Sequence, residues 1–184
     1  PFVSNECVFV DVASIKAGLP EFYSSVKRRF CSIHPMFGPT FGNLTKLVGE
    51  TILLIKESDS DSKKFFKNAF KPTTAKLVEL SFEEHDELMA YSLALPFATT
   101  IAFAESVNRG KLGGTTFKKH LEIAKGLLSE DDGILAEVLF NDYSQKQLEE
   151  LILALENLKK LSNEKNFEKA KAVFEKLRKK LREV

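Results

Sequence analysis

Apolar positions in the first eighty residues come in short bursts, and in the last hundred they recur at helical spacing. Residues 8–12 (VFVDV) predict a buried strand. Residues 21–30 predict a helix, with Phe22, Val26 and Phe30 at i, i+4 and i+8. Cys31, Ser32 and Ile33 predict a short strand that ends at His34-Pro35. A strand rich in β-branched residues is expected over 47–55 (LVGETILLI), and another over 75–80. Between them, the Ser-rich acidic turn 58–62 can cap a helix over 63–70. Strands interleaved with helices of about ten residues predict βαβ units and a mostly parallel sheet.

From Phe82 onward the pattern predicts helices alone. The first covers 83–108, with a kink expected at Pro96. A glycine-rich loop (109–115, RGKLGGT) leads to a helix over 116–128 with Thr115 or Thr116 as its cap. A turn at 129–133 precedes a short helix at 134–140. Ser144, with Gln147 at capping-box spacing, is expected to cap a helix running to about residue 161, and 166–183 forms the last. The fold class expected is α/β followed by all-α. A partial Rossmann-like parallel sheet in 1–81 precedes a C-terminal helical dimerisation domain in 82–184. Leu88, Tyr91, Leu95, Phe103 and Val107 in one helix, and Leu148, Ile152, Leu155 and Leu158 in another, exceed what short isolated helices need, so twofold pairing through 82–184 is expected.

Composition narrows the class of protein. With 184 residues, 43% hydrophobic and 29% charged, the chain is long enough for a proper core. Lys plus Arg is 27 and Asp plus Glu 26, so the +1 net charge gives no general attraction to nucleic acid or anionic membrane. Cys7 and Cys31 both sit in apolar stretches and read as reduced, buried thiols, which fits a cytoplasmic protein. The nearly uncharged run 90–104 falls short of the roughly 18 residues of a membrane span. Residues 1–12 lack the basic start and cleavage site of a signal peptide.

Three constellations can carry chemistry. Ser14 and Lys16 follow a strand, on the sheet edge where α/β proteins bind ligands. Ser14 offers a hydroxyl and Lys16 a point charge, while an ordinary loop with a helix cap is the plainer reading of both. His34 follows the next strand, and the proline after it holds it extended. Its imidazole suits proton transfer near neutral pH, and it shares the edge with Ser14. His85 lies in the first turn of the long helix, between acidic neighbours that favour the helix dipole. With three histidines, no HxxxH or HExxH spacing and no CxxC, no metal site is expected. No GxSxG elbow or P-loop is present.

Taken together, VDVASIK (10–16), SIHPMFGPT (32–40) and EEHDELMAYSLALPFAT (83–99) resemble the prephenate dehydrogenase family, with ILAEVLFNDY (134–143) matching more loosely. The resemblance implies a dinucleotide-binding domain followed by a helical domain that forms most of a homodimer. It implies NAD- or NADP-dependent oxidative decarboxylation of prephenate to 4-hydroxyphenylpyruvate, in tyrosine biosynthesis. Aromatisation drives that reaction, so the protein mainly positions its reactants. By the same resemblance His34 is the catalytic histidine on the substrate hydroxyl, and Ser14 contacts that hydroxyl. Lys16 and Pro35 fall at the cofactor end. His85 supports the substrate site, and Lys125 supplies charge for a carboxylate.

The chain departs from the family pattern in three places. The glycine-rich dinucleotide fingerprint is absent from the sequence, equivalent to roughly 60–90 missing residues of cofactor domain. Phe97 stands where many members have a second histidine. Gly126, beside Lys125, stands where an arginine often is. The alternative reading is therefore a non-catalytic dimerising or regulatory module that keeps the substrate-edge residues without a cofactor site. A third is a different hydroxyacid dehydrogenase of the same layout.

Overall fold

A computed structural model describes residues 3, 4, 6–38, 47–108 and 113–183. Pro39 and Thr40, which end the HPMFGPT run, and residues 109–112 of the glycine-rich loop lie outside these. The chain forms two compact units, 1–145 and 146–184.

In the first unit a four-stranded sheet has the order β1 (Phe9–Asp11), β2 (Phe30–Pro35), β3 (Thr51–Ile55), β4 (Lys76–Leu80). β1 runs parallel to β2 and β3 parallel to β4, but β2 and β3 are antiparallel. The sheet is therefore mixed, with two of its three pairings parallel. β1 is an edge strand, and Val10 and Val12 are exposed rather than buried. β3 is shorter than expected at its start, because Leu47 and Gly49 both take positive φ and put 47–50 in a turn. Only a glycine adopts that geometry without strain, which accounts for Gly49 but leaves Leu47 strained.

Helix α1 (Leu19–Val26) starts at Pro20 and stops where Lys27 turns left-handed. The expected extension to Phe30 does not form. Phe30 opens β2 instead, and its ring stacks on Tyr23 with centroids 3.9 Å apart. Its i+8 spacing from Phe22 was a coincidence of tertiary packing. α2 (Ser60–Phe70) is capped by Asp59, whose carboxylate accepts from the Ser62 amide.

The strands alternate faces, as a two-residue period requires. Cys31, Ile33 and Leu54 pack with Phe66 and Phe70 of α2 on one face. Leu53 packs with Ile15, Met89, Ala94 and Val138 on the other. Of the two cysteines, Cys31 is buried but Cys7 is exposed. The expectation for Cys7 fails because its apolar neighbours precede an edge strand, not a core one.

The first long helix is three pieces. α3 (Phe82–Met89) passes into a π-helical turn (Ala90–Ala94) and then α4 (Leu95–Glu105). The distortion expected at Pro96 takes this form. Proline has no amide hydrogen and its ring crowds the carbonyl four residues earlier, and the widened turn just before it accommodates that clash. By length and composition the run 82–105 is apolar enough to cross a membrane. It carries several acidic residues in its first turns, and His85, Asp86, Met89, Ala90 and Ala94 are buried within the unit.

α5 (Thr115–Leu127) has Gly114 at its N-cap and no side-chain cap, so neither Thr115 nor Thr116 fills that role. α6 (Asp132–Phe140) is capped by Asp131. Ser144 is the first residue of α7 (Ser144–Glu164), and its hydroxyl donates back to the Val138 carbonyl instead of capping. Within the second unit, the rest of α7 is followed by α8 (Phe167–Arg182), capped by Asn166. Leu158, Leu161, Phe167, Ala170 and Phe174 line a groove there, and Leu155, Leu177 and Leu181 are exposed.

Candidate active site

β1 and β2 run parallel, so their carboxyl ends open on the same edge of the sheet. The register explains which way His34 points. It pairs with Leu53, whose side chain lies on the face covered by Ile15 and Met89. His34 therefore faces α3, away from α2.

There the His34 ring meets His85. His34 Nδ1 lies 3.1 Å from His85 Nε2, and the ring centroids are 5.2 Å apart. His85 Nδ1 lies 2.7 Å from Asp86 Oδ1, and the same oxygen accepts the Lys16 backbone amide at 2.9 Å. A capping box presents this helix turn. Ser81 Oγ accepts the Glu84 amide, and the Glu84 carboxylate accepts the Ser81 amide. The Asn141 side-chain amide donates to the Asp86 carbonyl at 2.8 Å, tying the end of α6 to α3.

Both histidines are buried, and His85 is wholly so. Burial, then the proximity of His85 and Lys16, pulls His34 down to about 3. His34 is therefore a neutral imidazole at pH 7.

Lys16 lies beneath them with no exposed surface. Its ammonium donates to Asp11 Oδ1 at 2.6 Å and to the Ile33 carbonyl at 2.8 Å. Burial holds Lys16 below its ordinary value, with Asp11 opposing. Burial tends to raise Asp11, but hydrogen bonds from Lys16 and Tyr23 outweigh it and hold the carboxyl low. Tyr23 donates its hydroxyl to Asp11 Oδ2 at 2.6 Å.

A cavity of about 430 Å³ opens beside this network. Ser14, His34 and Pro35 line it, with Met36, Leu93, Phe97, Leu127, Val138 and Glu130 among the others. The π-helical turn places Ser92 and Leu93 on its wall. The arrangement offers an apolar chamber with one imidazole and one hydroxyl from neighbouring strand ends. That suits a largely apolar compound with a hydroxyl that gives up a proton or a hydrogen bond to nitrogen.

The structure thus brings Ser14, His34 and Pro35 to one cavity and sets His85 behind His34. It does not bring Lys16 or Lys125 there. The Lys16 side chain is turned inward onto Asp11. Lys125 is exposed on α5, because Ala124 and Leu127 are the inward positions of that turn. Sequence reasoning treated Asp86 as a helix-dipole neighbour and passed over Asn141, Tyr23 and the Ser81–Glu84 capping box. The box alone had a local signal, its Ser-x-x-Glu spacing.

No family model matches the chain. Over 157 residues it is 26% identical to the T-protein of Enterobacter agglomerans, covering 80% of this chain and 41% of that protein. It therefore spans about two-fifths of that relative's length. The structure of prephenate dehydrogenase from Aquifex aeolicus, in complex with hydroxyphenyl propionate and NAD+, matches with a TM-score of 0.79 at 20% identity. That match covers 98% of this chain and 68% of that one. Synechocystis arogenate dehydrogenase matches with a TM-score of 0.68 at 17% identity, over 98% and 70% of the two chains. From the first strand to the last helix, the chain has the fold of the prephenate and arogenate dehydrogenases, as its motifs suggested.

Proposed function

We propose that this chain is the substrate-side part of an NAD(P)-dependent prephenate dehydrogenase. It comprises the later portion of the dinucleotide-binding domain (1–81) and the helical dimerisation domain (82–184). The observation that carries the reading is the convergence of Ser14 and His34 on one largely apolar cavity, within motifs that resemble the family. In the reaction, a hydride passes from the ring carbon that bears the hydroxyl to NAD+ or NADP+, carbon dioxide departs leaving its bonding pair in the ring, and 4-hydroxyphenylpyruvate forms. His34 Nε2 accepts a hydrogen bond from that hydroxyl, draws its proton as the hydride leaves and returns it to the same oxygen as the ring becomes aromatic. Ser14 adds a second polar contact and fixes the oxygen. The apolar walls hold the ring and exclude water.

The turn from β1 into α1 does not fit the pyrophosphate of a dinucleotide. It has a single glycine, Gly18, and its one lysine, Lys16, is turned wholly inward. That turn is no pyrophosphate cradle, and none of its residues is given a part in holding the dinucleotide. Exposed Leu155, Leu177 and Leu181 in the second unit support twofold pairing of the helical part. A biosynthetic enzyme of this kind works in the cytoplasm.

The test is prephenate-dependent reduction of NAD+ or NADP+ by the full-length protein. His34→Asn is expected to lower turnover about 10²–10⁴-fold with the fold retained. Unchanged turnover removes His34 from the reaction. Turnover with neither prephenate nor arogenate removes the dehydrogenase reading.

A further inference from the structure

We infer that Asp86 is a positioning residue: its Oδ1 fixes the tautomer of His34 through His85 and pins the Ser14-bearing loop to the same point. The inference rests on the functional reading above only in treating His34 as the group that meets substrate.

The argument is one of donors and acceptors. Asp86 Oδ1 accepts the Lys16 amide, which can only donate. An oxygen in that role is an acceptor, so its second partner, His85 Nδ1 at 2.7 Å, donates to it. With a single proton on His85, placed on Nδ1 by this bond, its Nε2 has a lone pair. His34 Nδ1, 3.1 Å away, must then donate to it. A neutral His34 with its proton on Nδ1 is left with a lone pair on Nε2, the nitrogen that remains for the cavity. One carboxylate oxygen thus decides, two rings away, that the site offers an acceptor and not a donor.

The same oxygen has a second effect. Lys16 is two residues from Ser14, so the Oδ1 bond to its amide locates the loop that brings the Ser14 hydroxyl to the cavity. The Asn141 amide holds the Asp86 backbone from the other side. Ser14 and His34 arrive from different strands, and Asp86 is the atom group both depend on for position.

The experiment is long-range ¹H–¹⁵N NMR on the chain labelled with ¹⁵N-histidine at pH 7. In the wild type, His34 and His85 are both expected to carry their proton on Nδ1. Asp86→Ala removes the acceptor, and His34 is expected to shift toward the Nε2-protonated form. Asp86→Asn keeps an oxygen at the same place and is expected to restore the Nδ1 form. A wild-type His34 protonated on Nε2 overturns the inference, as does a folded Asp86→Ala chain whose His34 tautomer is unchanged. Should Asp86→Ala fail to fold, the wild-type and Asp86→Asn spectra decide alone, and His34 protonated on Nε2 in either rejects it. None of these readouts needs substrate. A protein without prephenate turnover but with this tautomer pattern fails the proposed function and keeps the inference.

Discussion

The ammonium of Lys16 sits 2.6 Å from the carboxylate of Asp11, and no part of the lysine side chain reaches solvent. A lysine at the edge of a nucleotide-type sheet suggests a ligand contact, yet here both its charge and its stem are consumed by the fold. Asp11 is in turn held by the Tyr23 hydroxyl and the Ala13 amide. The pair is a cornerstone beneath the site, not a part of its surface.

Replacing Lys16 by Met is therefore expected to act on stability first. It leaves Asp11 largely buried without its counter-charge, which costs about 3 kcal/mol. Urea unfolding of the chain checks this. The double variant Lys16→Met with Asp11→Asn is expected to recover part of the loss. A Lys16→Met chain as stable as the wild type would return Lys16 to the role of a ligand contact.

The neutral state of His34 sets a pH dependence with a definite sign. Its folded value, about 3, lies below the ordinary 6.5, so the unfolded chain binds this proton more readily. Stability from this group is complete above 6.5 and drains away as pH falls toward 3. The slope is at most about 1.4 kcal/mol per pH unit, or roughly 2 kcal/mol between pH 6.5 and 5. Unfolding measured at both pH values, with His34→Asn as reference, isolates the effect. The variant should be less sensitive to that change.

Ser81 governs the start of the helix that carries His85 and Asp86. Ser81→Ala removes the acceptor for the Glu84 amide and is expected to cost about 1 kcal/mol. Thermal unfolding reads the loss. The NMR signals of the His34 and His85 rings should broaden or shift with it, because the first turn of α3 frays.

Asn141 is nearly buried and makes hydrogen bonds in two directions. Its side-chain amide donates to the Asp86 carbonyl, and its side-chain oxygen accepts the Tyr143 amide. Asn141→Ala is expected to destabilise the chain by about 1–3 kcal/mol. Denaturant titration provides the check, and a change below a few tenths of a kcal/mol would show that water replaces the bonds.

Much of the fold was legible in local pattern. Short apolar and β-branched runs marked the strands, and Asp59, Asp131 and Asn166 cap helices at places their sequences allow. Ser14 and His34 were legible as neighbours because strand ends in an α/β sheet share an edge. Other positions departed from local pattern. Phe30 completes a helical spacing yet belongs to a strand paired with β1, Ser144 has the composition of a cap yet bonds back to Val138, and Lys125 stands beside inward-facing Ala124 on the exposed side of α5.

The sequence by itself determined the order of elements, the change from mixed strands and helices to helices alone after Leu80, and which polar residues stand at the strand ends. These are local properties: periodicity, turn chemistry and capping act within a few residues. Tertiary structure decided the antiparallel step between β2 and β3, the inward turn of Lys16, and the line from Asp86 through His85 to His34. Those depend on which face of one strand meets which turn of a helix some fifty residues away. That meeting is fixed by core packing and by the need to satisfy buried polar atoms, and neither is written in any short stretch of the chain.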